Sequence, residues 1–104
     1  MTAASPNSIR IYLDDWRSAP EGYTLVRSVN KAKELIVYCE QKGIEIEIID
    51  CDYFLEAYAF DGGDGPDLLV WLAERKTYYP IALHSSSSWG RGEMEDYILE
   101  HWYK

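Results

Sequence analysis

Residues 44–52 read Ile44-Glu45-Ile46-Glu47-Ile48-Ile49-Asp50-Cys51-Asp52. Apolar and acidic residues alternate with the period of two that a half-buried strand shows, and the run ends in acid. Working outward, the same pattern recurs. Upstream, Ile9-Arg10-Ile11-Tyr12-Leu13 alternates and stops at Asp14-Asp15. Downstream, Pro80-Ile81-Ala82-Leu83-His84 reads as a strand that runs into Ser85. A shorter strand, Thr24-Leu25-Val26-Arg27, follows a loop over 16–22 whose Pro20 and Gly22 forbid a long helix.

Helical segments separate these strands. Ser28 or Asn30 can cap a helix running to about Lys42, with Ala32, Leu35, Ile36 and Cys39 as its apolar stripe and Gly43 as its stop. Pro66 suits the first turn of a helix over 66–76, with Leu68, Leu69, Trp71 and Leu72 inward. A serine run, 85–88, leads into a last helix carrying Met94, Tyr97, Ile98, His101 and Trp102 at helical spacing. Residues 53–65 read as a flexible loop and lack the spacing and terminal Glu of an EF-hand. Residues 1–7 are small and polar, which predicts a disordered segment ahead of one domain over 8–104. Strands alternating with helices imply a parallel sheet with right-handed crossovers. Ligands of such sheets sit beyond the carboxyl ends of the strands, at a topological switch point.

Composition narrows the function classes. Eighteen acidic against ten basic side chains leave a net charge of −8 on 104 residues. With no basic tract, the chain is not expected to bind a nucleic acid polymer, because that binding rests on Lys and Arg displacing counterions. No apolar run approaches the roughly eighteen residues of a membrane span. The start resembles no signal peptide, and Cys39 and Cys51 form no metal-ligand spacing. Both are expected to be reduced thiols in a cytoplasmic protein.

The strand ends carry the functional signal. Asp14, Asp15, Asp50, Asp52, His84 and Ser85 converge if the three strands that bear them are adjacent. Such a cluster repels itself unless a cation occupies it or some groups stay protonated. Hard oxygen donors suit Mg²⁺, Mn²⁺ or Ca²⁺. The plainer reading is that each Asp starts a turn or caps a helix. Arg17 either clamps a phosphate with its planar fork or pairs with the surplus carboxylates. His84 is either a general acid/base or a buried structural histidine. Ser85 is placed to donate to a phosphate oxygen. Cys51, flanked by acids, is expected to have a raised thiol pKa and not to act as a nucleophile. Trp16 and Trp89 are the two aromatics placed to stack on a base.

The motifs Asp14-Asp15-Trp16-Arg17, Asp50-Cys51-Asp52, Gly65-Pro66-Asp67 and His84-Ser85 resemble those of the cyclic-phosphate processing receiver-like family, stand-alone relatives of response-regulator receivers. The family pattern is Asp-Asp-x-Arg, Asp-His-Asp-Leu-Gly and His-Ser-x-Asn-Pro. Cys51 replaces its His, Tyr53 its Leu, and Ser87 and Ser88 its Asn and Pro. The resemblance implies a small receiver-like (flavodoxin-like) α/β fold in three layers, with a four-stranded parallel sheet in order 2-1-3-4 and three helices. The helices over 29–42 and 66–76 would share one face, with the last helix across the other. Arg10, Glu45 and Glu47 would lie on a thinly covered face, where Arg10 can pair with the glutamates. That face would leave a monomer or support a weak homodimer.

The implied activity is divalent-metal-dependent hydrolysis of a cyclic nucleotide or another cyclic phosphate. Asp14, Asp15 and Asp50 would hold the metal, Arg17 and Ser85 the phosphate, and His84 and Asp52 would be catalytic. The other reading is a non-catalytic module that binds a metal or cyclic nucleotide in signalling or conflict systems. Asp50 matches a receiver's phosphoacceptor, but no Lys follows in the expected place, so phosphorelay is the less expected role.

Overall fold

The computed structural model describes residues 7–103. The disorder expected for residues 1–7 therefore lies, except for Asn7, outside the described residues. The elements are β1 (Ser8–Leu13), β2 (Thr24–Val26), α1 (Val29–Lys42), β3 (Glu45–Cys51), α2 (Gly65–Arg75), β4 (Ile81–Leu83) and α3 (Ser88–His101). A single 3-10 turn, Glu56–Tyr58, interrupts the segment read as a loop. The sheet is wholly parallel, in the expected order β2-β1-β3-β4.

Local chemistry accounts for the helix ends. The Ser28 hydroxyl accepts from the Lys31 N–H and starts α1, and Gly43 ends it in the left-handed region at φ 71°. At α2, the Asp64 N–H donates to Asp67 at 2.9 Å, while Asp64 accepts from the Leu55 N–H. Asp61 accepts from Ser28 and Asn30. The 53–65 segment is thereby anchored to α1, with Leu55 fully buried.

The main core joins Ile11 and Leu13 of β1, Ile46, Ile49 and Cys51 of β3, Ala32, Ile36 and Cys39 of α1, and Leu68 and Leu72 of α2. Strand β3 reaches this arrangement only through a bulge. Ile9 pairs with Ile46, yet Arg10 pairs with Ile48, so one extra residue is accommodated on β3. The phase of β3 reverses there. Below the bulge Ile46 faces the helices; above it Ile49 and Cys51 do, and Asp50 is paired with Tyr12 on the opposite face.

The last helix departs from expectation. Met94 of α3 is buried with Leu69 of α2 and Tyr53, against Ile81 and Leu83. Those two β4 side chains also pack on the main core, so α3 lies beside α2 on the same face. The layers are therefore two, where three were expected. The physical reason is that Ile81 and Leu83 of β4 present apolar surface beside Leu69 of α2, and Met94 of α3 is buried against it. Without a helix, the other face is covered by Tyr12 and Tyr23, packed edge to face, and by the expected Arg10–Glu47 ion pair at 2.9 Å.

Candidate functional site

The cluster sits where β1, β3 and β4 end. Asp14 is fully buried. Its Oδ1 accepts from the backbone N–H groups of Trp16 and Arg17 at 2.9 and 2.7 Å, the turn an aspartate makes for itself after a strand. Its Oδ2 accepts from the Arg17 guanidinium at 2.8 Å and faces His84 Nε2 at 2.8 Å. The other ring nitrogen, Nδ1, lies 2.6 Å from Asp50. Ionised carboxylates can only accept, so this geometry favours the doubly protonated, cationic form of the ring. Burial works against that charge, but Asp50 and Asp14 outweigh it, and the His84 pKa is raised.

Asp14 shows the opposite balance. Burial pushes its carboxyl up, and the hydrogen bonds from Arg17, Trp16 and His84 overcome this, lowering it to about 2. Asp52 is buried and its pKa is raised, chiefly by that burial. It accepts from the Tyr53 N–H at 2.8 Å and lies 3.4 Å from Arg17. Arg17 and His84 thus supply the positive charge that relieves the carboxylates.

Among the described residues, Asp14, Asp52 and His84 form a group of potential metal ligands whose ligand atoms all lie within 4.8 Å of one another. Asp15, half-buried, and Asp50, bound to His84, fall outside this group. Ser85 is buried, and its hydroxyl accepts from the Ser87 N–H at 3.1 Å. Cys51 is buried facing the core, and its thiol pKa is pushed up by that burial and by Asp50 and Asp52. The Cys51 side chain therefore contributes nothing to the cluster.

Two contributors escaped the sequence reading. Tyr12 stacks on His84, with ring centroids 4.2 Å apart. The alternation of Ile9, Ile11 and Leu13 already placed Tyr12 on the opposite face of β1, and that was its signal. Arg27 donates to the Arg17 carbonyl at 2.8 Å and the Asp14 carbonyl at 3.3 Å, holding the 14–17 turn. A cation just past β2, among acidic strand ends, was the corresponding clue.

Sheet, crossovers and strand-end cluster define a small receiver-like α/β domain with a histidine held between two carboxylates. The chain belongs to the cyclic-phosphate processing receiver domain family, whose model matches residues 9–100. No curated protein and no solved structure gave a significant match. No helix among the described residues is long and apolar enough to cross a membrane.

Proposed function

We propose that the chain is a divalent-metal-assisted phosphodiesterase acting on a cyclic phosphate at the strand ends. The observation that carries this reading is the His84 ring, held by its two nitrogens between Asp50 and Asp14 beside Arg17. Arg17 and Ser85 grip the phosphate. As water attacks phosphorus and releases one proton to solvent, the ring P–O bond breaks and His84 gives its Nε2 proton to the leaving oxygen, leaving a phosphomonoester. Asp50 keeps the Nδ1 proton and orients the ring.

Asp52 and Asp14 would offer hard oxygens to Mg²⁺, Mn²⁺ or Ca²⁺, with Asp14 exchanging one of its hydrogen bonds for the ion. Such an ion, when bound, polarises a phosphoryl oxygen and lowers the pKa of a water. His84 is near enough to be a third ligand, but only after Nε2 loses its proton. The carboxylates on either side favour the proton, and with it the acid role.

The test is hydrolysis of a panel of cyclic nucleotides in Mg²⁺, Mn²⁺ or EDTA, followed by ³¹P NMR. Wild type should form a monoester and His84→Asn should lose most of that activity; an inert wild type overturns the reading. One observation favours a second reading, a binding module without turnover. Asp14 already takes four hydrogen bonds from protein groups, so the cluster is charge-compensated without an ion. Calorimetric binding with no product in the same panel would establish that reading.

A further inference from the structure

An exposed aromatic cluster borders the strand ends. Phe54 is 42% and Trp89 65% exposed. Their ring centroids are 6.5 Å apart, with planes 18° from parallel. Scattered exposed aromatics are ordinary, but these two are held in place by a third. Tyr53 is buried and touches both, with centroids 4.5 Å from Phe54 and 5.5 Å from Trp89.

Tyr53 is itself fixed at three points. Its hydroxyl donates to Glu93 at 2.9 Å. Its ring lies on Gly90, where a Cβ would come within 2.8 Å of it. Its N–H donates to Asp52 Oδ1 at 2.8 Å. That last bond ties the aromatic surface to the carboxylate opposite Arg17. By contrast, the Trp16 ring already carries the Arg17 guanidinium, 4.8 Å from its centroid.

We propose that Phe54 and Trp89 form a stacking subsite for a nucleobase, so that the substrate is a nucleoside cyclic phosphate. This deepens, and rests on, the phosphodiester reading above. Two near-parallel rings on a pinned support give a flat aromatic guest a preformed surface, which limits the ordering cost of stacking. The surface lies within a few residues of both proposed phosphate-side elements, two past Asp52 and four past Ser85. A purine, with the larger face, binds more tightly than a pyrimidine.

Calorimetry with cyclic AMP, cyclic CMP, adenosine and the base-free glycerol 1,2-cyclic phosphate tests this, in Mg²⁺, on wild type, Trp89→Ala, Trp89→Phe, Phe54→Ala and Arg17→Ala. Both aromatic side chains are exposed, and melting curves verify that the variants fold. Trp89→Ala should weaken cyclic AMP binding about 5- to 100-fold and leave the base-free ligand within about twofold, while Trp89→Phe keeps most of the affinity. Arg17→Ala should weaken both phosphates and spare adenosine. Equal affinity for cyclic AMP and the base-free ligand, unchanged in Trp89→Ala, overturns the base subsite and leaves the phosphate reading standing. Cyclic AMP binding lost in Trp89→Ala but intact in Arg17→Ala overturns the phosphate reading alone. No binding of any ligand to folded wild type at millimolar concentration overturns both.

Discussion

The imidazole of His84 lies flat on the ring of Tyr12, with centroids 4.2 Å apart and planes 7° from parallel. The contact crosses β3, since Tyr12 is on β1 and His84 follows β4, with Asp50 between them. An imidazolium over a phenol ring gains from the ring quadrupole, so Tyr12 supports the charged form of His84 as well as its orientation. Tyr12→Leu should lower the His84 pKa, and Tyr12→Phe should preserve it. The protein has two histidines, so an NMR titration of the ring protons reads this directly. An unmoved His84 titration in Tyr12→Leu would leave Tyr12 as packing only.

Arg27 is a positioning residue for the 14–17 turn. Removing its guanidinium frees the carbonyls of Arg17 and Asp14. A charged donor of this kind contributes about 1.5–3 kcal/mol, so Arg27→Ala should show that loss in urea unfolding. Arg27→Lys should recover less than half of it, because both bonds come from the Nη1 tip of the rigid guanidinium and an ammonium is more strongly hydrated and on a more flexible stem.

Glycines on two helices should respond oppositely to alanine. A Cβ on Gly65 would press into the carbonyl oxygen of Asp52 and come within 3.3 Å of the Met94 sulfur. Backbone cannot yield as a side-chain tip does, so Gly65→Ala should destabilise by roughly 2–3 kcal/mol and displace Asp52. A Cβ on Gly92 of α3 would meet nothing within 4 Å. Gly92→Ala should stabilise by about 1 kcal/mol, the helix propensity difference.

Stability should vary with pH through groups of opposite sign. The Asp14 pKa is lowered from its usual 3.8 to about 2. Its contribution, about 2 kcal/mol for a fully buried carboxylate, is present above 3.8 and fades as pH falls through 2. The His84 pKa is raised, so its contribution is complete below its usual 6.5 and fades as pH rises through the folded value. Asp52, raised by burial, works against Asp14, because its ionisation weakens the fold above its usual value. In EDTA, the melting temperature of wild type should exceed that of His84→Gln by about 5 °C near pH 5.5, with the gap narrowing by pH 9. A gap independent of pH would mean that folding leaves the His84 pKa unchanged, and a gap that widens toward pH 9 would mean that the folded ring is neutral.

Strand alternation, Ser28, Gly43 and Pro66 are local signals, and each specifies its element from a few neighbouring residues. The acids and His84 at the strand ends were equally legible, because a parallel α/β order carries successive strand ends to one edge of the sheet. The sequence by itself therefore determined the elements, their order and the edge at which the chemistry gathers. Tertiary structure alone decided which groups meet. The bulge between Ile46 and Ile49 reversed the phase of β3, sending Cys51 into the core and Asp50 to His84; the Ile48-Ile49 doublet hinted at it, but only pairing with β1 sets the register. The face taken by α3 likewise depended on where β4 and α2 left apolar surface uncovered. Side-chain pairing such as Asp14–His84, 70 residues apart, is settled by packing and electrostatics over distances that no local pattern encodes.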